Sequence, residues 1–236
     1  MVKPRGIGLN RISPDLAFAW SLLRDPTQRR YALRWFRSRR PDYLLKKRLP
    51  WLVFLAIDRL ATIELEGRRV FDYGSGGSTL FWQARGALAV SIEHDPVWFA
   101  AIRPRLAAAP ALDYRLIEPE PGATPHDGDP SDPDAYRTAD ATWQGASFRH
   151  YATAIDEFPD GIFDIVLVDG RARSSCIKHS ARKVAVGGAL ILDDSQREYY
   201  LARTRTFLDG FVETRFVGPA PTVPGISTTS IFSRLT

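Results

Sequence analysis

The chain carries one cysteine, Cys176, and one methionine in 236 residues. A lone thiol excludes an internal disulfide and any metal site built from several cysteines, and it fits a reducing cytoplasm. Long apolar runs are missing as well. The longest candidate, Trp51 to Ile57, falls well short of the roughly eighteen residues that a membrane span needs. The opening Met-Val-Lys-Pro-Arg-Gly has no apolar signal-peptide core, so a cytoplasmic location is expected. No recognisable nucleic-acid-binding module is present. What remains is an ordinary globular composition, 44% hydrophobic and 25% charged, with room for one large domain or one domain with an appendage.

Acidic residues are scarce at the amino-terminal end. Residues 1–60 hold fourteen Lys and Arg against four Asp, a net +10, whereas residues 61–236 carry eighteen against twenty-three, a net −5. The sequence therefore divides into a basic helical cap, 1–60, and a larger α/β domain, 61–236. Within the cap, Ser13-Pro14 and Asp25-Pro26 each place an N-cap before a proline at the first helical position, predicting helices over 14–24 and 26–38, and Pro50 begins another through Leu65. The segment from Arg29 to Arg48 interleaves nine cations with aromatic and leucine side chains. It suits a solvated face packed on the core, an anionic substrate, or a peripheral contact with acidic lipid.

In the larger part, Val70 to Leu80 reads as a strand running into a glycine loop that opens a helix. Val70 and Phe71 suit a buried strand, and Asp72 stands at its carboxyl end. Gly74 and Gly76 allow a ligand to approach the backbone, with Ser75 between them, and Ser78 is the expected N-cap of a helix over 79–84. A second apolar run ends in Glu93, 21 positions after Asp72 and beside His94. An acid there can accept both hydroxyls of a ribose. A glycine turn of this kind also serves dinucleotides, so a NAD-dependent oxidoreductase is a competing reading.

The run Asp72-x-Gly74-x-Gly76-x-Ser78 followed by Glu93 resembles motifs I and II of the class I S-adenosylmethionine-dependent methyltransferases. The resemblance implies a Rossmann-like fold, with a mostly parallel seven-stranded sheet closed by an antiparallel hairpin. It also implies S-adenosylmethionine held by Asp72, Gly74, Ser75, Gly76, Ser78, Glu93, His94 and Asp169. The rest of the pattern agrees. Asp95-Pro96 caps a helix over 96–108, and 112–117 alternates as a strand. A stretch rich in proline, glycine and acids, 118–146, reads as a long loop, either a lid over substrate or a solvated surface excursion. A short helix is expected over 148–158. Ile162 to Val168 is a buried strand, a helix runs from Ser174 or Ser175 to Val186, Gly187-Gly188 ends it, and 189–192 is a short strand. A helix from Ser195 to about Leu208 and strands over 211–217 and 227–234 complete the chain. Alternating strands and helices imply a parallel sheet covered on both faces.

Ligands in such sheets lie beyond the carboxyl ends of the strands. That rule gathers Asp72, Glu93, Asp169, Asp193 and Asp194 on one rim. Asp169, Asp193 and Asp194 resemble the carboxylates of metal-dependent O-methyltransferases, which implies a Mg²⁺ site that would lower the pKa of a substrate hydroxyl. Arg171 and Arg173 lie close enough to pair with those acids instead. Asp169, Asp194 and His179 are the candidate catalytic groups, His179 as a general base near neutral pH. Arg171 is the candidate anchor for an anionic acceptor, with Tyr200 lining its pocket. The turn Asp169-Gly170-Arg171-Ala172 lacks the Asn/Asp-Pro-Pro-aromatic pattern of base N-methyltransferases. The resemblance thus favours O-methylation of a small-molecule or sugar hydroxyl; a non-catalytic scaffold binding membrane or polyanion is the non-enzyme alternative.

Overall fold

The computed structural model describes residues 13–107, 111–121 and 128–236. Parts of the expected cap, of the 96–108 helix and of the 118–146 loop therefore lie outside the described residues. The chain runs through helices α1 (Pro14–Arg24), α2 (Ala32–Ser38), α3 (Tyr43–Lys47) and α4 (Phe54–Ala61) before entering the sheet. Then follow β1 (Arg69–Tyr73), α5 (Gly77–Gln83), β2 (Leu88–Glu93), α6 (Pro96–Ile102) and β3 (Leu112–Leu116). The second half holds α7 (Arg149–Thr153), β4 (Phe163–Val168), α8 (Arg173–Ser180), β5 (Val184–Leu192), α9 (Tyr199–Ala202), β6 (Phe211–Pro219) and β7 (Ile226–Arg234).

The seven strands form one sheet in the order β3-β2-β1-β4-β5-β7-β6, parallel except for β7, which pairs antiparallel with both β5 and β6. Period-two alternation sends each strand's side chains to two cores. Phe71, Tyr73, Val166, Val168, Leu190 and Leu192 enter the core beneath α7 and α8. Val70, Ile165, Leu167, Ile191 and Ile231 enter the other, which also contains Leu22, Tyr31, Trp35, Phe54 and Ile57. The basic amino-terminal helices thus share the core of one sheet face. The order reverses between β1 and β4, which is where such sheets leave a crevice.

Several local expectations are corrected. The helix expected over 26–38 begins as a short 3₁₀ turn, Arg29–Tyr31, and is regular only in α2. Trp51 to Val53 does not join α4, because Trp51 Nε1 donates to the Pro221 carbonyl at 2.9 Å and the Val53 amide donates to Thr229 Oγ1 at 3.3 Å. Those contacts hold the segment against the β6–β7 connection and against β7 itself. Ser78 is not the cap of α5 but lies inside it. Gly187 and Gly188 lie within β5, at a register shift against β4, rather than ending α8. Ser195 starts no helix: its amide donates to the Thr228 carbonyl at 2.9 Å, and the helix is the single turn α9. The described part of 118–146 is irregular apart from a 3₁₀ turn at Ala141–Trp143 and a bridge pairing Glu120 with Ser147.

Candidate functional site

Asp72 is fully buried at the end of β1 and faces α5. Its Oδ2 accepts from the hydroxyls of Ser78 at 2.9 Å, Ser91 at 3.1 Å and Thr79 at 3.2 Å, while Oδ1 has no partner. Burial pushes its pKa up to about 7, partly offset by the three hydroxyls. Asp72 therefore braces the loop from below, and it stands beneath the lining of the cleft rather than in it. Above it the chain turns with Gly74 at φ 100° and Gly76 at φ 139°. A Cβ on Gly74 would lie 3.1 Å from the backbone of Gly170, and one on Gly76 would lie 3.3 Å from the Trp98 ring. Both positions need glycine for conformation and for space.

A cleft of about 1020 Å³ opens over this loop. Gly74, Ser75 and Ser78 form its floor, with Glu93, His94, Asp95 and Trp98 on one side. Asp169 to Arg171, Arg173, Asp193 and Asp194 form the opposite side, and Ser38 to Leu45 with Thr222 to Ser227 close the third. Glu93 is 3% exposed and heavily bonded. Its Oε2 accepts from the Ser75 amide at 3.2 Å and hydroxyl at 2.7 Å; Oε1 accepts from the amides of His94 at 2.8 Å and Asp95 at 2.9 Å. Burial raises the Glu93 pKa, but His94, the Asp95 amide and Ser75 outweigh it and hold the carboxyl below its ordinary range. A diol reaching Oε2 has to displace the Ser75 hydroxyl, which already has Tyr114 Oη as a second partner at 2.8 Å.

At the far side, Arg173 is the hub. It is 7% exposed, and its guanidinium donates to the carbonyls of Gly170 at 3.1 Å and Asp169 at 3.1 Å, to Asp169 Oδ1 at 3.0 Å, and to the Asp193 carbonyl. Its Nη1 lies 3.6 Å from Asp194 Oδ2. Asp193 turns its carboxylate away, accepting from Thr229 Oγ1 at 2.7 Å. Burial drives the Asp169 pKa well up, with Asp193 and Asp194 adding to the shift and Arg173 opposing it. Asp193 is pushed up to about 6 by burial, with Arg173 opposing. For Asp194 the burial penalty is overcome by Arg173, Gln196, Arg197 and Ser227, and it is held low. Ala172 at φ 46° and Asp194 at φ 54° are both left-handed, so backbone strain sits at the ends of both strands.

The donor set does not fit the implied Mg²⁺. Asp169 and Asp194 both turn to the fixed cation of Arg173, Asp193 is committed to Thr229, and no cluster of three or more metal-ligating side chains exists among the described residues. Of the two arginines that could pair with those acids, Arg173 does so, whereas Arg171 pairs with Asp140.

Arg171 and Tyr200 are brought together in a smaller cavity of about 220 Å³, which shares Gly170, Arg171, Arg173, Asp194 and Arg197 with the main cleft. Arg171 pairs with Asp140 at 2.8 Å, and its buried Nε has no hydrogen-bond partner. His179 is not part of either cavity. It bonds Asp156 at 2.7 Å and Tyr136 Oη at 3.2 Å, and burial lowers its pKa. The structure thus places His179 against Asp156 and Tyr136 and does not bring it together with Asp169 and Asp194. Trp98 and Trp143 escaped the sequence reading, although both line the cleft, and Trp98 Nε1 donates to the Ser75 carbonyl at 2.9 Å. The signal for Trp98 was present: it lies in the first turn of a helix whose cap, Asp95, accepts from Val97 and Trp98 amides at the rim.

The strand order, the antiparallel β7 and the glycine loop beneath the crevice make a Rossmann-like fold, a seven-stranded mixed sheet of the kind seen in the methyltransferase structures it is similar to. No protein-family model and no curated protein matches the chain. Among solved structures, it is similar to a putative O-methyltransferase from Klebsiella pneumoniae, at 14% identity and a TM-score of 0.51, over 83% of this chain and 89% of that one. It is also similar to a methyltransferase-like protein from Silicibacter pomeroyi, at 24% identity and a TM-score of 0.44, over 76% of this chain and 86% of that one.

Proposed function

We propose that the chain is an S-adenosylmethionine-dependent methyltransferase acting on the hydroxyl of a small acidic acceptor. The observation that carries this reading is the shared cleft, in which the glycine loop and Glu93 face Asp169 and Arg171 across one opening. Of the residues lining it, Glu93 would hold the ribose hydroxyls, with Tyr114 available as a partner for Ser75, and Trp98 and Trp143 would offer aromatic faces to the base. When bound, S-adenosylmethionine supplies a sulfonium methyl group whose transfer leaves a neutral thioether.

The protein's remaining task is alignment and removal of one proton. Asp169 takes the proton from the acceptor hydroxyl. Its raised pKa makes it a stronger base than an exposed carboxylate, and Arg173 fixes its orientation through Oδ1. Arg171 binds the anionic group of the acceptor, a role supported by its unpartnered Nε and its place where the two cavities meet. Production of S-adenosylhomocysteine against a panel of hydroxy acids and phenolic acids tests the reading. Asp169→Asn should lower kcat about a hundredfold, the lower range for loss of a general base, while S-adenosylhomocysteine still binds. Unchanged turnover in Asp169→Asn would remove Asp169 as the base.

A further inference from the structure

Away from the strand ends, α2 and α3 enclose a groove of about 940 Å³ lined by Arg30, Arg34, Arg37, Arg40, Lys46 and Lys47. No carboxylate lines it, and of these six only Arg34 has an ion-pair partner among the described residues, Asp58. Unpaired cations gathered in one depression repel each other, and an anionic surface relieves that repulsion. Leu33 lines the groove itself, and α1, packed on α2, exposes further apolar side chains. Leu16, Trp20 and Leu23 recur at i, i+4 and i+7 along α1, each more than half exposed, while Leu33 and Phe36 on α2 are 58% and 61% exposed. The α1–α2 pair is held from within by Phe18 against Trp35, ring centroids 5.0 Å apart, and by the Arg39–Asp15 ion pair at 2.7 Å, so these apolar side chains are presented from a packed hairpin.

We propose that this face docks on a bilayer surface rich in acidic phospholipid. The cations meet the headgroups and the leucine and aromatic side chains enter the acyl boundary, the combination by which interfacial helices bind. Leu16, Leu23 and Leu33 favour lipid over a single-stranded nucleic acid, because they offer no face for a base to stack on, whereas Trp20 and Phe36 suit either. Arg40, Pro41 and Tyr43 line both this groove and the main cleft. Docking therefore sets the mouth of the cleft at the membrane surface. That consequence for the acceptor rests on the methyltransferase reading, whereas docking itself does not.

Co-sedimentation of the full chain without cofactor decides it, using vesicles of phosphatidylglycerol mixed equally with phosphatidylcholine and vesicles of phosphatidylcholine alone. Binding should require phosphatidylglycerol and weaken as salt is raised. The triple change Arg37→Glu, Lys46→Glu, Lys47→Glu, none of which lines the main cleft, should lower partitioning about a hundredfold. Trp20→Ser with Phe36→Ser should lower it about tenfold through lost apolar insertion. Equal binding to both vesicle types, or no binding to either, overturns the proposal. So does retention on heparin or RNA that the Trp20 and Phe36 changes leave intact while vesicles are ignored, an outcome that would assign the groove to a soluble polyanion.

Discussion

At Arg173 one buried guanidinium meets the carbonyls of Asp169, Gly170 and Asp193 and the carboxylate of Asp169, so that strand ends β4 and β5 are tied through a single side chain. Removing that charge leaves Asp169 and Asp194 facing each other in a buried site. Arg173→Met should destabilise the protein by about 3–5 kcal/mol, as expected when one partner of a buried ion pair is deleted, read as a shift of the urea midpoint. A loss within about 0.5 kcal/mol, ordinary for a surface substitution, would show that the guanidinium does not hold the rim. Asp72 offers a test by pH. Its folded pKa, about 7, lies above its unfolded value near 3.8, so the folded state holds the proton longer. That contribution to stability is complete below pH 4 and is lost as pH rises through 7. Asp193, pushed up to about 6, works in the same direction, and His179, pushed down by burial, works against both. The clean readout is a difference. The stability of Asp72→Asn relative to the native chain should rise by about 2 kcal/mol between pH 5 and pH 8. A flat difference would place Asp72 in a charged, solvated state.

Among the elements, α2 does most to join cap and sheet. Trp35 is fully buried, and its Nε1 donates to the Val223 carbonyl at 2.7 Å; Ser38 Oγ accepts from the Thr222 amide at 2.9 Å. The helix thereby fixes the loop before β7 that walls the cleft. Trp35→Ala should cost about 3–5 kcal/mol, measured by chemical denaturation, and a cost below about 1 kcal/mol would show a cap that docks without sharing the core. The sequence made some elements legible and hid others for identifiable reasons. Ser13-Pro14 marked the start of α1, and the Ser13 side chain accepts from the Leu16 amide. The apolar runs marked β1, β2 and β4, because buried parallel strands show hydrophobicity without competing signals. Gly187-Gly188 misled, since a helix stop and a strand irregularity use the same residue. Ser195 misled because its amide is taken by β7, a partner 33 residues away. At the site, the loop and Glu93 were readable from local spacing. The commitment of Asp193 to Thr229 and the exclusion of His179 depend on pairings distant in sequence, which local patterns do not encode.

Over the whole molecule, the charge asymmetry seen along the chain becomes a division in space. The basic helices bring Ser38 to Leu45 to one wall of the cleft, and the acidic strand ends bring Asp169, Asp193 and Asp194 to another. Among the described residues no helix is long and apolar enough to cross a membrane. The cleft is thus built from both regions. Isothermal titration of S-adenosylhomocysteine into the native chain and into Glu93→Gln, with NAD as the comparison ligand, tests the central claim most directly. The native chain should bind S-adenosylhomocysteine at one site and not NAD. Glu93→Gln, which keeps the shape but loses the charge, should weaken binding by at least tenfold, about 1.4 kcal/mol. Binding of NAD in place of S-adenosylhomocysteine, or an unchanged affinity in folded Glu93→Gln, would contradict it.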